Sequence, residues 1–169
     1  MERFWNLIYY FAYIGDYKLH LLFNKINPVL LLYKLNLSKK RFEKMGINDP
    51  VEELNKSFKK SDVGLGSFRA GGLMILLICL LCFGIGNIYI GVYRIRYHVK
   101  VYPFILVLAI TFLVNYLLLF KHDKYLRYFK EFDKMEKTSR IRWAWISFVV
   151  MLSILFFCIG SFVFMLYRF

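Results

Sequence analysis

Residues 70–93 read AGGLMILLICLLCFGIGNIYIGVY, 24 residues without an Asp, Glu, Lys or Arg. A helix rises about 1.5 Å per residue, so roughly 20 apolar residues cross the ~30 Å hydrocarbon core of a bilayer. Two further uncharged stretches are long enough: residues 101–120, VYPFILVLAITFLVNYLLLF, and 143–167, WAWISFVVMLSILFFCIGSFVFMLY. The fold class read from them is all-α. We expect a polytopic membrane protein with three transmembrane helices, at about 71–93, 103–120 and 143–167. N-terminal interfacial helices and a cytoplasmic extension of the second transmembrane helix complete it.

Composition agrees. The 169 residues are 59% hydrophobic and 20% aromatic, above the norms of water-soluble chains. The chain then divides into a cytoplasmic or interfacial helical region, 1–69, and a transmembrane domain, 70–169, whose helical loop 121–142 is cytoplasmic. The net charge of +13 reads as topology. Residues 1–69 hold 12 of the 24 Lys and Arg, 94–100 hold 3, 121–142 hold 8, and Arg168 is the last. Three crossings put 20 of these cations on one side, which the positive-inside rule assigns to the cytoplasm. The expected location is a bacterial cytoplasmic (inner) membrane, with the N-terminus inside and the C-terminus outside.

The N-terminal run FWNLIYYFAYI, residues 4–14, is apolar but short, and Glu2 and Arg3 give it no net positive flank, so it does not read as a cleavable signal peptide. The segment 19–37 contains Lys25, Pro28 and Lys34. Both suit helices in the inner interface, with Trp5, Tyr9, Tyr10 and Tyr13 at headgroup depth; packing against the transmembrane bundle is the other reading. Pro28 opens a short helix over about 28–37. Ser38 caps a short basic helix over Lys39–Met45 that Gly46 ends in a left-handed conformation. Asp49-Pro50-Val51-Glu52 starts a helix over about 50–60: Asp49 caps it, Glu52 reaches back to the cap amide, and Glu52 and Lys56 form an i,i+4 pair. Gly64 and Gly66 loosen the chain before the first crossing.

Within the crossings, Gly84, Gly86, Asn87 and Asn115 are candidate inter-helix or pore-lining residues, because small residues admit close helix approach and carboxamides bond across interfaces. Beyond 120 the apolar period persists. Tyr125, Tyr128, Phe129, Phe132 and Met135 fall at three- and four-residue spacing, with Asp123–Arg127 and Asp133–Lys137 as i,i+4 pairs. The spacing predicts one uninterrupted helix over about 103–137, ended by Thr138-Ser139. Its helix-packing stripe needs a cover, for which residues 28–60 are the nearest candidate and a neighbouring protomer the next.

Chemistry is sparse. No ionisable residue other than cysteine and tyrosine lies in a crossing, which argues against an ion-coupled carrier. His20, His98 and His122 are scattered, and no metalloprotease, P-loop, dinucleotide or nucleophile-elbow motif occurs. Cys79, Cys82 and Cys158 read as packing residues. The expectation is a chain that is not an enzyme and takes no cofactor or metal. Lys39, Lys40, Arg41, Lys44, Lys56, Lys59 and Lys60 are candidate contacts for anionic inner-leaflet lipid or a protein partner. Without an interleaved aromatic platform, nucleic acid is an unfavoured partner. The function these features point to is a non-enzymatic integral membrane subunit that forms a homo-oligomer or anchors a partner complex at the cytoplasmic face. The alternative is a pore-forming or membrane-perturbing effector or channel subunit.

Overall fold

A computed structural model describes residues 1–28, 33, 40–42, 44–47, 49–62, 64–95 and 101–168. Among them every regular element is helical. In chain order these are α1 (Glu2–Ile26), α2 (Pro50–Lys59), α3 (Leu65–Tyr93), α4 (Val101–Asn115), a π-helical turn (Tyr116–Phe120), a 3-10 turn (Lys121–Asp123), α5 (Lys124–Asp133) and α6 (Lys137–Arg168). Three helical stretches are long and apolar enough to cross a membrane: Leu65–Tyr93, Val101–Asp133 and Lys137–Arg168. The expected helix over 28–37 lies mostly outside the described residues.

The chain forms two compact units. One joins Met1–Phe11 to Gly72–Phe169; the other is Ala12–Gly71. The boundaries fall inside α1 and inside α3.

In the larger unit, the uninterrupted helix expected over 103–137 does not form. The backbone passes through a π turn and then reverses handedness, with His122 at φ 58° and Asp123 at φ 51°. No proline or glycine lies between Phe104 and Ile159, so neither usual breaker causes the kink. Its physical reason is the stripe. After the break α5 turns its aromatic face onto the first turns of α1, where Tyr125, Phe129 and Phe132 are buried among Tyr9 and Tyr10. The ring centroids lie 5.2–5.7 Å apart, and all but the tilted Tyr9–Phe129 pair meet edge to face, a favoured aromatic geometry. Within the larger unit the cover comes from the start of α1, through Tyr9 and Tyr10, and part of the expected cover, 28–60, lies outside the described residues. Tyr9 and Tyr10 are buried core residues. α5 ends at Asp133, four residues early. Asp133 takes the Tyr10 hydroxyl at 2.7 Å instead of pairing with Lys137, and Thr138 and Ser139 belong to the first turn of α6.

The smaller unit follows its local signals closely. Asp49 Oδ1 accepts from the amides of Val51 and Glu52, which satisfies donors that a helix start leaves unpaired. Glu52 does not reach back; its carboxylate lies 3.1 Å from the Lys56 ammonium. Gly46 has φ +76° and the Ile47 amide bonds the Phe42 carbonyl, the six-to-one closure of a glycine-capped helix end. Phe58 is buried, stacked on the His20 ring at 3.7 Å, with the Arg69 guanidinium 5.7 Å from its centroid. Tyr13 donates to the Lys59 carbonyl. Gly64 and Gly66 do not loosen the chain. A Cβ at Gly66 would sit 2.6 Å from the Phe58 carbonyl oxygen, so these glycines permit close approach where α2 turns into α3.

Phe132 is fully buried. Phe132→Ala leaves a cavity in the α1–α5 seam and should cost about 3–5 kcal/mol. The check is a lower unfolding midpoint in detergent, with exposed Phe156→Ala, on α6, as the near-neutral control.

Candidate functional site

Two buried polar residues of the second membrane-length helix, Thr111 and Asn115, lie near its broken end. Breaking a helix strands carbonyls, which then need donors from outside the helix. Two side chains fill that role. Asn6 Nδ2 donates to the Leu118 carbonyl at 2.9 Å and to the Glu2 carbonyl at 2.9 Å. Lys124 Nζ reaches the Leu117 carbonyl at 3.2 Å. One turn earlier, buried Asn115 accepts from Trp5 Nε1 at 3.3 Å and donates to the Thr111 carbonyl at 3.1 Å. The Thr111 hydroxyl lies 3.5 Å from the Cys79 thiol on α3. A polar path thus runs from α1 through α4 to α3 at one level.

Around it, charged groups clasp the start of α1 to α5. Lys124 Nζ is 2.7 Å from Glu2 Oε2, and the Tyr128 hydroxyl donates to Glu2 Oε1 at 3.3 Å. The Lys124 hydrogen bond, aided by its charge, holds the Glu2 carboxyl below the usual carboxylate value. This clasp therefore contributes fully above that value and fades as pH falls through the depressed one. Arg3 pairs with Glu131 at 2.6 Å on the exposed side.

Asn87, Gly84 and Gly86 lie elsewhere, on the second half of α3. Gly84 lets α6 close in: a Cβ there would meet the Phe157 ring at 2.5 Å. Gly86 faces open space and, with Asn87, borders a cleft of about 270 Å³ whose walls include Cys82, Phe104, Val107 and Met165. Asn87 is half-buried; its Nδ2 stands 3.5 Å from the Ser161 hydroxyl, at the long limit of a hydrogen bond. The two candidate carboxamides are thus not brought together. Asn115 is engaged in packing, and Asn87 is only weakly held.

Of the basic candidates, Lys40, Arg41, Lys44, Lys56, Lys59 and Lys60 are exposed, and Lys39 lies outside the described residues. Lys56 sits between Glu52 and Glu53, and their carboxylates hold its ammonium above its ordinary value. Of the stripe, Tyr125, Phe129 and Phe132 are buried, and Tyr128 and Met135 half-buried. Among the described residues no cluster of His, Cys, Asp and Glu could hold a metal.

Sequence reasoning passed over Asn6, Glu2, Arg3 and Lys124. The signal for Asn6 was a single carboxamide inside FWNLIYY, a polar group that cannot be buried without a partner.

No family model, no curated protein and no solved structure matches this chain.

Replacing Asn6 by Leu keeps the volume but removes the donor to Leu118. An unsatisfied buried carbonyl costs about 1–3 kcal/mol, so Asn6→Leu should lower the unfolding midpoint in detergent, whereas Asn24→Leu on the same helix should not disturb Trp5 fluorescence. A wild-type midpoint and unchanged Trp5 emission in Asn6→Leu would contradict the bracing role.

Proposed function

We propose that the chain is a non-enzymatic subunit of a bacterial cytoplasmic membrane, with its N-terminus in the cytoplasm, that assembles with copies of itself or anchors a partner complex. The observation that carries the reading is the cleft beside Gly86 and Asn87. A carboxamide on a membrane-length helix seeks a strong partner, and the Ser161 hydroxyl at 3.5 Å is a weak one. The open space over Gly86 admits the backbone of a neighbouring helix. The aromatic stripe, covered within the chain, does not contribute to assembly.

The low burial of the long helices supports the same reading. Only 28%, 17% and 11% of their most apolar windows is buried within the chain, so their flanks meet lipid or further helices. The exposed Lys40, Arg41, Lys44, Lys59 and Lys60 would draw the 12–71 unit to anionic inner-leaflet headgroups, at about 1 kcal/mol per well-placed charge. The rival reading, a pore or membrane-perturbing effector, uses the same cleft, with Asn87 as its polar lining; the engagement of Asn115 with Trp5 and Thr111 weakens it.

Native mass spectrometry of the full chain, extracted in mild detergent, tests the proposal. The expected result is a homo-oligomer or a fixed-ratio complex that Asn87→Leu weakens. A monomer free of bound protein would overturn it. An oligomer that passes ions in a planar bilayer would move the reading to the pore.

A further inference from the structure

The second half of α1 is built inside out. His20 and Asn24 face the interior of the 12–71 unit, where His20 Nε2 lies 3.0 Å from Asn55 Oδ1 and Asn24 Nδ2 donates to the same oxygen at 2.8 Å. The His20 ring also stacks on buried Phe58. The opposite face carries Leu19, Leu22, Phe23 and Ile26, at i, i+3, i+4 and i+7, each more than half exposed. Helices on water-facing units show the reverse arrangement, with apolar residues in and polar residues out. A face of four large apolar side chains turned outward marks an apolar medium or an interaction surface.

Three features identify the medium. Lys18 and Lys25, exposed and seven residues apart, line one edge of the apolar arc, where long cationic side chains can reach phosphate while their stems lie on hydrocarbon. Residues 12–71 hold eleven Lys and Arg against six Asp and Glu, a balance that favours an anionic surface. Both ends of the unit continue as helix into the unit that holds the membrane-length helices, at Ala12 in α1 and at Gly71 in α3. Any lipid bilayer is thus present at high effective concentration.

We propose that residues 18–26 of α1 form an interfacial helix on an anionic lipid surface, with Leu19, Leu22, Phe23 and Ile26 in the acyl boundary and Lys18 and Lys25 at the phosphates. The proposal rests on the membrane reading above and moves the lipid contact from the aromatic N-terminal turns to this later face. The aromatic residues at 9, 10 and 13 are buried in protein, whereas the apolar stripe at 19, 22, 23 and 26 is exposed.

The test uses the full chain in vesicles of phosphatidylcholine and phosphatidylglycerol, with Cys79, Cys82 and Cys158 replaced by Ser. A nitroxide is attached at Leu22→Cys and, separately, at Ile26→Cys, so that one failed variant does not end the experiment. Collision with oxygen, which concentrates in lipid, is compared with collision with a water-soluble nickel chelate. The expected oxygen-to-nickel ratio at both positions is several-fold above that at Glu52→Cys on α2, and Lys18→Gln with Lys25→Gln lowers it. Nickel accessibility like that of position 52 overturns the proposal, because the face then meets water. Shielding from both reagents also overturns it, because another segment or a second copy then covers the face. Val149→Cys on α6 separates the two levels. Strong nickel accessibility there would overturn the membrane reading itself.

Discussion

The bond from Asn6 to the Leu118 carbonyl is the constraint around which the rest of the larger unit is arranged. The break at Lys121–Asp123 frees carbonyls of the second membrane-length helix, and these need new donors. Asn6 supplies one and Lys124 another. With Asn6 seated, the helical period of α1 sets its neighbours. Trp5 meets Asn115 one turn down the second helix, and Tyr9 and Tyr10 meet the face of α5 that the break has turned towards them. Break and brace imply each other: without the break α5 would continue the axis of α4, and without α1 its aromatic face would be bare.

Magnitudes divide the labour between these contacts. A net intramolecular hydrogen bond is worth about 0.5–1.5 kcal/mol, whereas each large apolar side chain taken from water contributes about 1.5–3 kcal/mol. Tyr9 and Tyr10 are buried against Tyr125, Phe129 and Phe132, themselves buried, so packing supplies most of the stability of the α1–α5 seam. The hydrogen bonds select its register, because a one-residue rotation of α1 would bury Asn6 without a partner. The exposed Arg3–Glu131 pair adds little to stability and, like Lys124–Glu2, favours the same register. On the other half of α1 the logic inverts, with polar contacts inside and apolar side chains outside.

The long helices were legible because the absence of charge over 20 or more residues has few other meanings. Asp49 and Gly46 were legible because their roles are local, set by the cap and turn within a few residues. The break was not legible. Residue type alone carries a 3.6 period straight through Tyr125, Phe129 and Phe132, and a left-handed pair at His122 and Asp123 leaves no proline or glycine to announce it. Nor could Trp5, Tyr9 and Tyr10 be placed, since an aromatic residue with a polar tip is equally at home in a headgroup belt and in a core that offers it a bond. Asn6 showed that something polar was needed in the run, but its partner lies 112 residues away. The same distance effect hid the difference between Asn87 and Asn115, which are alike in the sequence and differ in what other helices bring to them.

The seating of α1 on α5 is tested most directly by crosslinking. Arg3→Cys and Glu131→Cys, introduced with Cys79, Cys82 and Cys158 replaced by Ser, would be treated in isolated membranes with a short thiol-reactive bifunctional reagent. A fast intramolecular link that needs both cysteines, and that fails in a control pairing Arg3→Cys with Tyr167→Cys, is the predicted result. No link, or links only between chains, would mean that the N-terminal helix does not brace the break.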